Sequence, residues 1–184
     1  MYEQILIAGF GGQGVLTCGQ ILALAAMFDG KKVTWMPSYG PEQRGGTASC
    51  VVTISSQPIG SPLPENLTAA IIFNKPSLVK FEPRIKSGGV LVLNSSIIKV
   101  RGERADILSY RVPADEIARR TGLAKAANIV LLGSFLAMKN VVSEKSLENA
   151  LKEYLGKSKQ HLVEVNLKAL AAGQIHMGDP AQAV

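Results

Sequence analysis

The sequence predicts one α/β domain, a three-layer α/β/α sandwich around a mostly parallel open sheet, and three observations carry that prediction. Short apolar runs bounded by glycine or proline alternate with stretches of helical periodicity, the order expected of strands joined through helices that cover a sheet. The chain has 184 residues, 47% of them hydrophobic, which suffices for one domain with a substantial core. Neither an internal repeat nor a linker divides it. The domain is expected to occupy residues 1–173, and the small, polar residues 174–184 are expected to form a flexible tail.

Ile5-Leu6-Ile7-Ala8 is a short apolar run without alternation, as in a strand buried on both faces. The turn Gly9–Gly14 follows, and Val15–Phe28, apolar nearly all round, reads as a helix packed close against the sheet. Asp29-Gly30 ends that helix, because glycine supplies the left-handed conformation of a C-terminal cap. Lys32–Trp35 is a second strand, whereas Met36–Gly46 has little helical or strand character. Thr47–Ser55 alternates with β-branched residues and reads as a third strand. Pro58, Pro62 and Pro64 make 57–66 an extended connection. Leu67–Phe73 and Gly89–Asn94 are further strands, separated by a short helix at Pro76–Lys80, and Ile107–Val112 is the last strand. Pro113 suits the first turn of a helix running to Arg120. Asn128 reads as a helix N-cap, and Ile129, Leu132, Phe135 and Leu136 then recur at helical spacing. Ser143 opens another helix, and His161–Ala172 closes the fold.

Charged residues make up 18% of the chain, below the roughly one quarter usual in soluble proteins. Such a composition fits a surface covered by partner chains and equally a large core with neutral loops. The net charge of +6 comes from scattered residues, and the densest basic stretch, Lys99 to Arg120, is interleaved with Glu103, Asp106, Asp115 and Glu116. Aromatic residues at 5% provide no stacking platform, and no helix-turn-helix, zinc-finger or RNA-recognition pattern occurs, which argues against nucleic-acid binding. A basic surface also attracts anionic substrates or an acidic electron carrier. Cys18 and Cys50 stand in no paired motif and are too few for an iron–sulfur cluster or a structural zinc site. They read as small core residues of a reduced protein. No basic segment precedes the first strand, and Ile21–Phe28 is too short to span a bilayer, so a cytoplasmic setting without membrane attachment is expected.

Two segments carry chemistry. The first is Gly9-Phe10-Gly11-Gly12-Gln13-Gly14, between a strand and a helix. At such a turn the helix N-terminus carries partial positive charge, and glycine lets a phosphate or another backbone come close. Gly9, Gly11, Gly12, Gln13 and Gly14 are therefore the candidate cofactor-binding residues. The spacing also matches a dinucleotide fingerprint, but that site requires an acidic residue at the end of the second strand. Here that end reads Thr34-Trp35-Met36-Pro37-Ser38, without a carboxylate. A Walker-type loop is excluded because no Gly-Lys-Ser/Thr follows the glycines.

The second segment comprises Ser38, Tyr39, Gly40, Pro41, Glu42, Gln43, Arg44, Gly45 and Gly46. In a parallel sheet it lies at the same carboxyl edge as the glycine turn, where open α/β folds place ligands. Arg44 is suited to bidentate contact with a phosphate or carboxylate. The alternative is a rigid loop in which Glu42 and Arg44 pair with backbone or each other. A ligand or subunit contact is favoured. Asn94 follows a strand and is a further candidate for that edge, although turn formation explains it equally well. His161 and His176 have no acidic or thiol partner nearby and read as surface residues, and no nucleophile–base pair or metal site is evident.

Together the two segments resemble the gamma subunit of the 2-oxoacid:ferredoxin oxidoreductases. The resemblance extends through Pro113-Ala114-Asp115-Glu116-Ile117-Ala118, Asn128 with Leu132-Gly133, and Asn166-Leu167-Lys168-Ala169-Leu170, and so covers Ile5 to Gly173. It implies a subunit of a complex that converts a 2-oxoacid and CoA into acyl-CoA and carbon dioxide, with electrons passed to ferredoxin. It further implies that alpha and beta subunits bind thiamine diphosphate and Mg2+, and that a ferredoxin-like delta subunit lies alongside. Iron–sulfur clusters would sit outside this chain, which would bind no cofactor alone and be inactive in isolation. The site residues would then contact CoA or a partner subunit. Phe10 and Glu42-Gln43 resemble the 2-oxoglutarate and branched-chain versions at least as well as the pyruvate versions, with 2-oxoglutarate favoured; a related indolepyruvate subunit shares parts of the pattern. The competing readings are a stand-alone dinucleotide-binding oxidoreductase and a purely structural scaffold subunit. Apolar surface left by absent partners would allow the isolated chain to form a homodimer.

Overall fold

Alternation along the first strand sets the layers of the molecule: Ile5 and Ile7 enter one apolar cluster, Leu6 and Ala8 another on the opposite face. A computed structural model describes residues 1–40, 46–61, 63–64 and 66–177. Within them, β1 (Tyr2–Phe10), β2 (Lys32–Tyr39), β3 (Thr47–Ser55), β4 (Leu67–Ile72), β5 (Ile85–Asn94) and β6 (Leu108–Val112) form a six-stranded sheet in the order β2-β3-β1-β4-β5-β6. β1, β4, β5 and β6 pair in parallel, while β3 is antiparallel to both β1 and β2. Only β3 is therefore reversed. The helices are α1 (Val15–Phe28), α2 (Lys75–Phe81), α3 (Ala114–Arg120), α4 (Ala127–Met138), α5 (Glu144–Leu155) and α6 (Val163–Met177).

The expected sandwich is present, with unequal outer layers. Residues of α1, α3, α4, α5 and α6 pack on the face that carries Ile5, Ile7, Val52 and Ile54. Leu78 and Phe81 of α2 cover the other face, helped by Ile98 and Ile107 from the connection between β5 and β6. Each large aliphatic side chain fully buried in these clusters contributes about 1.5–3 kcal/mol relative to exposure. Among the described residues no helix is long and apolar enough to cross a membrane.

Two boundaries differ from the sequence reading. β2 continues from Trp35 to Tyr39 through Pro37, which pairs with Cys50. Proline is tolerated there because β2 is an edge strand. The final helix runs to Met177, four residues past Gly173. Gly173 is no stop signal but a packing residue, since a Cβ on it would lie 2.1 Å from the Val130 carbonyl oxygen of α4.

Asp29 closes α1 and opens α5 at once. Its carboxylate accepts from Ser143 N at 2.8 Å, Ser143 Oγ at 2.7 Å and Lys31 Nζ at 3.1 Å. Ser143, the N-cap of α5, in turn accepts from Ser146 N. Burial opposes ionisation of Asp29, yet the hydrogen bonds from Ser146, Ser143 and Lys31 outweigh it and hold the carboxyl well below its usual range. A depressed folded-state pKa adds stability above the unfolded value of 3.8, which is lost as pH falls below it. Asp29→Asn is expected to cost about 1–2 kcal/mol at neutral pH. The deficit relative to wild type should shrink below about pH 4, as read by urea unfolding across pH.

Candidate functional site

β1 and β2 run the same way, so Phe10 and Tyr39 end at one edge of the sheet, with Thr47 at the start of reversed β3 beside them. Main-chain hydrogen bonds join the two motifs: Gly11 N donates to the Gly46 carbonyl at 2.9 Å, and Gly40 N to the Thr47 carbonyl at 3.2 Å. The glycine turn and the ends of the β2–β3 hairpin are thus one structure. The expected juxtaposition follows from strand direction, and the reversal of β3 tightens it.

The turn is braced from within. Gln13 Oε1 accepts from Phe10 N at 2.6 Å and from Asn74 Nδ2 at 3.5 Å. Gly9 is required by space, because a Cβ there would sit 2.6 Å from Gln13 Oε1 and 2.8 Å from Phe73 Cβ. Gly14, the N-cap of α1, has φ 77°, ψ 21° and no side-chain cap. Its carbonyl accepts from Asn128 Nδ2 at 3.2 Å. Asn128 therefore does not cap its own helix, whose N-cap is Ala126, but anchors the start of α1. With no cap in place, the first-turn amides of α1 at Val15, Leu16 and Thr17 are orphan donors, beside a helix terminus of positive potential.

The start of α1 borders a cleft of ≈ 910 Å³ lined by Gly11, Gly12, Gly14, Val15, Leu16 and Thr17 on one side. Trp35, Pro37, Tyr39, Gly40, Gly46, Thr47 and Ala48 line the other, with Phe10 at the turn. Tyr39 is 71% exposed and forms the rim. Thr17 Oγ1 is hydrogen-bonded to Tyr154 of α5 at 2.8 Å, which ties the far wall to the helical layer. Trp35 lies against α1 because Gly19 leaves room, a Cβ there being 3.0 Å from Trp35 Nε1 and 2.4 Å from Cys50 Sγ. Behind it, burial pushes the Cys50 thiol up to about 12. Burial and then Cys50 raise Cys18 as well. Both thiols are buried and neutral, and they present no cluster or metal ligand set. Among the described residues no group of three His, Cys, Asp or Glu side chains is placed to hold a metal. The cleft offers backbone amides, glycine surface and aromatic faces, suited to an anionic group joined to an apolar body.

The sequence-derived candidates separate into distinct roles. Gly11, Gly12, Gly14, Tyr39, Gly40 and Gly46 line the cleft, whereas Gly9 and Gln13 shape it from behind. Ser38 points to the opposite face, where it lies by Ser49 and α2. Asn94 is not a cleft residue: buried at the end of β5, its Nδ2 donates to Asp115 at 2.8 Å and its Oδ1 accepts from Ser96 N at 3.2 Å. Its polar atoms hold a turn. Pro41, Glu42, Gln43, Arg44 and Gly45 lie outside the described residues. Trp35 went unnoticed in the sequence, although period-two alternation places it on the same face as Tyr39. His161 is exposed, but His176 belongs to α6 and its Nε2 is buried.

β3 also bears on the dinucleotide alternative. It separates β2 from β1, so the strand end that would carry a ribose-binding acid stands about 10 Å from the glycine-turn strand, two strand spacings away. Fold and site define an open α/β domain whose glycine turn is shared with a β-hairpin. The pyruvate ferredoxin/flavodoxin oxidoreductase family pattern matches residues 4–174. Over 172 residues the chain is 42% identical to ketoisovalerate oxidoreductase subunit VorA of Methanothermobacter thermautotrophicus, covering 92% of this chain and 35% of that protein. It is 34% identical over 176 residues to 2-oxoglutarate synthase subunit KorC of Methanocaldococcus jannaschii, covering 94% of this chain and 92% of that one. The crystal structure of the keto/oxoacid ferredoxin oxidoreductase gamma subunit from Geobacter sulfurreducens superposes with a TM-score of 0.80 at 30% identity, over 95% of this chain and 98% of that chain. The chain belongs to the pyruvate ferredoxin/flavodoxin oxidoreductase family, and it spans about a third of the length of its VorA relative.

Proposed function

We propose that this chain is the gamma component of a complex that carries out CoA-dependent oxidative decarboxylation of a 2-oxoacid, passing electrons to a ferredoxin-type acceptor. The observation that carries the reading is the cleft that joins the uncapped start of α1 to Trp35 and Tyr39. CoA matches it chemically, with phosphates for the amides and a long neutral arm for the apolar wall. Gly11, Gly12 and Gly14 admit the ligand closely, and Arg44 supplies a phosphate or subunit contact. Alpha and beta subunits hold thiamine diphosphate and Mg2+, and a delta subunit holds the iron–sulfur clusters. No reaction step is assigned to a side chain of this chain.

For the substrate, two readings have separate support. The KorC relative matches this chain in length as well as sequence, which favours 2-oxoglutarate. The VorA relative has the higher identity, 42% against 34%, which favours a branched-chain 2-oxoacid. Assay of the purified complex with both acids decides between them. In the same complex, Arg44→Ala is expected to raise the KM for CoA about 10-fold, the scale of one charge-assisted contact of about 1.4 kcal/mol, or else to weaken assembly. Unchanged assembly with unchanged CoA kinetics would remove Arg44 from the site.

A further inference from the structure

The connection between β5 and β6 buries Ile98 and Ile107 against Leu91 and Leu93, and this anchoring leaves its basic residues at the β6 edge of the sheet. Lys99 Nζ donates to the Ser95 carbonyl at 3.2 Å. The Arg111 guanidinium donates to the Ile98 carbonyl at 3.1 Å and to that of Val100, so it is held in place by the backbone of the connection. Lys99, Arg101 and Arg111 line a cleft of ≈ 490 Å³ together with the hydroxyl residues Ser95 and Ser109 and the imidazole of His176.

Two features of this cleft lack a structural explanation. None of Lys99, Arg101 and Arg111 forms an ion pair among the described residues. Of the nearby carboxylates, Asp106 pairs with Arg104 and Asp115 accepts from Asn94, whereas Glu103 and Glu116 form no ion pair among the described residues. Among the described residues, His176 Nε2 is buried without a hydrogen-bond partner. Gathering three positive charges in one concavity is self-repulsive, and a bound anion relieves that repulsion. An unpaired buried imidazole nitrogen is likewise costly until it meets a polar group.

We infer that the cleft at the β6 edge is a binding site for a compact phosphate group, either inorganic phosphate or the terminal phosphate of a small ester. A guanidinium fork, an ammonium, hydroxyls and an imidazole match the several acceptor oxygens and double charge of a phosphate. The site shares no lining residue with the glycine-turn cleft, which lies at the β2 end of the sheet. It stands independently of the CoA reading.

The test is an amide-resolved NMR titration of the full chain with inorganic phosphate and, separately, with glycerol phosphate. Saturable shifts at Arg101, Gly102 and Ser109 are expected, weakened at least 10-fold in a Lys99→Ala/Arg101→Ala variant. Both side chains are exposed, so this variant should unfold at the wild-type temperature. Tighter binding of glycerol phosphate would identify an ester as the ligand, and tighter binding of inorganic phosphate the free ion. Shifts confined to Gly12–Thr17, shifts that never saturate, or undiminished binding by the variant would each overturn the assignment.

Discussion

Gly133→Ala will lower the thermal unfolding midpoint by roughly 6–12 °C, the shift that corresponds to about 3 kcal/mol in a domain of this size. On propensity alone the change should help, because alanine is favoured over glycine inside a helix by about 1 kcal/mol. Packing reverses the sign. A Cβ at Gly133 would lie 2.1 Å from the Leu170 carbonyl oxygen of α6, and one at Gly173 would lie 2.1 Å from the Val130 carbonyl oxygen of α4. The two helices meet backbone to backbone, and Ser134 Oγ completes the contact by donating to the Gly173 carbonyl at 3.1 Å. No flexible side chain can give way there, so the helices must separate and every apolar contact along the seam loosens. Gly173→Ala should behave alike. Differential scanning calorimetry of both variants checks this, and a midpoint within a degree or two of wild type would show that the helices do not approach so closely.

Gly14→Ala should cost about 3 kcal/mol through two separable effects. An alanine held at φ 77° pays roughly 1–2 kcal/mol for the left-handed region. Its Cβ would also sit 2.5 Å from Asn128 Nδ2. Asn128→Ala alone should cost about 1 kcal/mol for the hydrogen bond to the Gly14 carbonyl. The double variant should be destabilised by less than the sum, since removing the amide relieves the clash but not the backbone strain. Strict additivity in urea unfolding would mean that Asn128 and Gly14 are not in contact.

The sequence was most legible where one local cause determines one feature. The helix Val15–Phe28, the left-handed Gly30 after it and the Ser143 cap all appear as read. Legibility ended where the cause was tertiary. Hydrophobic pattern carries no information about strand direction, so the reversal of β3 was invisible. Gly173 resembles a helix terminator until α4 is seen against it, and Asn128 resembles a cap until Gly14 is placed beside it. The pairing of the glycine turn with the hairpin was foreseeable because both lie at strand ends. Which residues enter the cleft was decided by the pleat, which admits Tyr39 and Trp35 and turns Ser38 away.

The position of β1 has a consequence for how the molecule is made. Along the chain β2 and β3 are successive, as are β4, β5 and β6, so each group can pair soon after it is synthesised. β1 lies between the two groups, joined to Ser55 and neighbouring residues on one side and to Ala69–Ile72 on the other. On a ribosome it emerges first and stays an uncovered apolar strand until both flanks exist, which requires the chain through Ile72. Slow translation between Phe10 and Ile72 therefore prolongs the interval in which this strand is open to mispairing, whereas delays after β4 leave it sheltered.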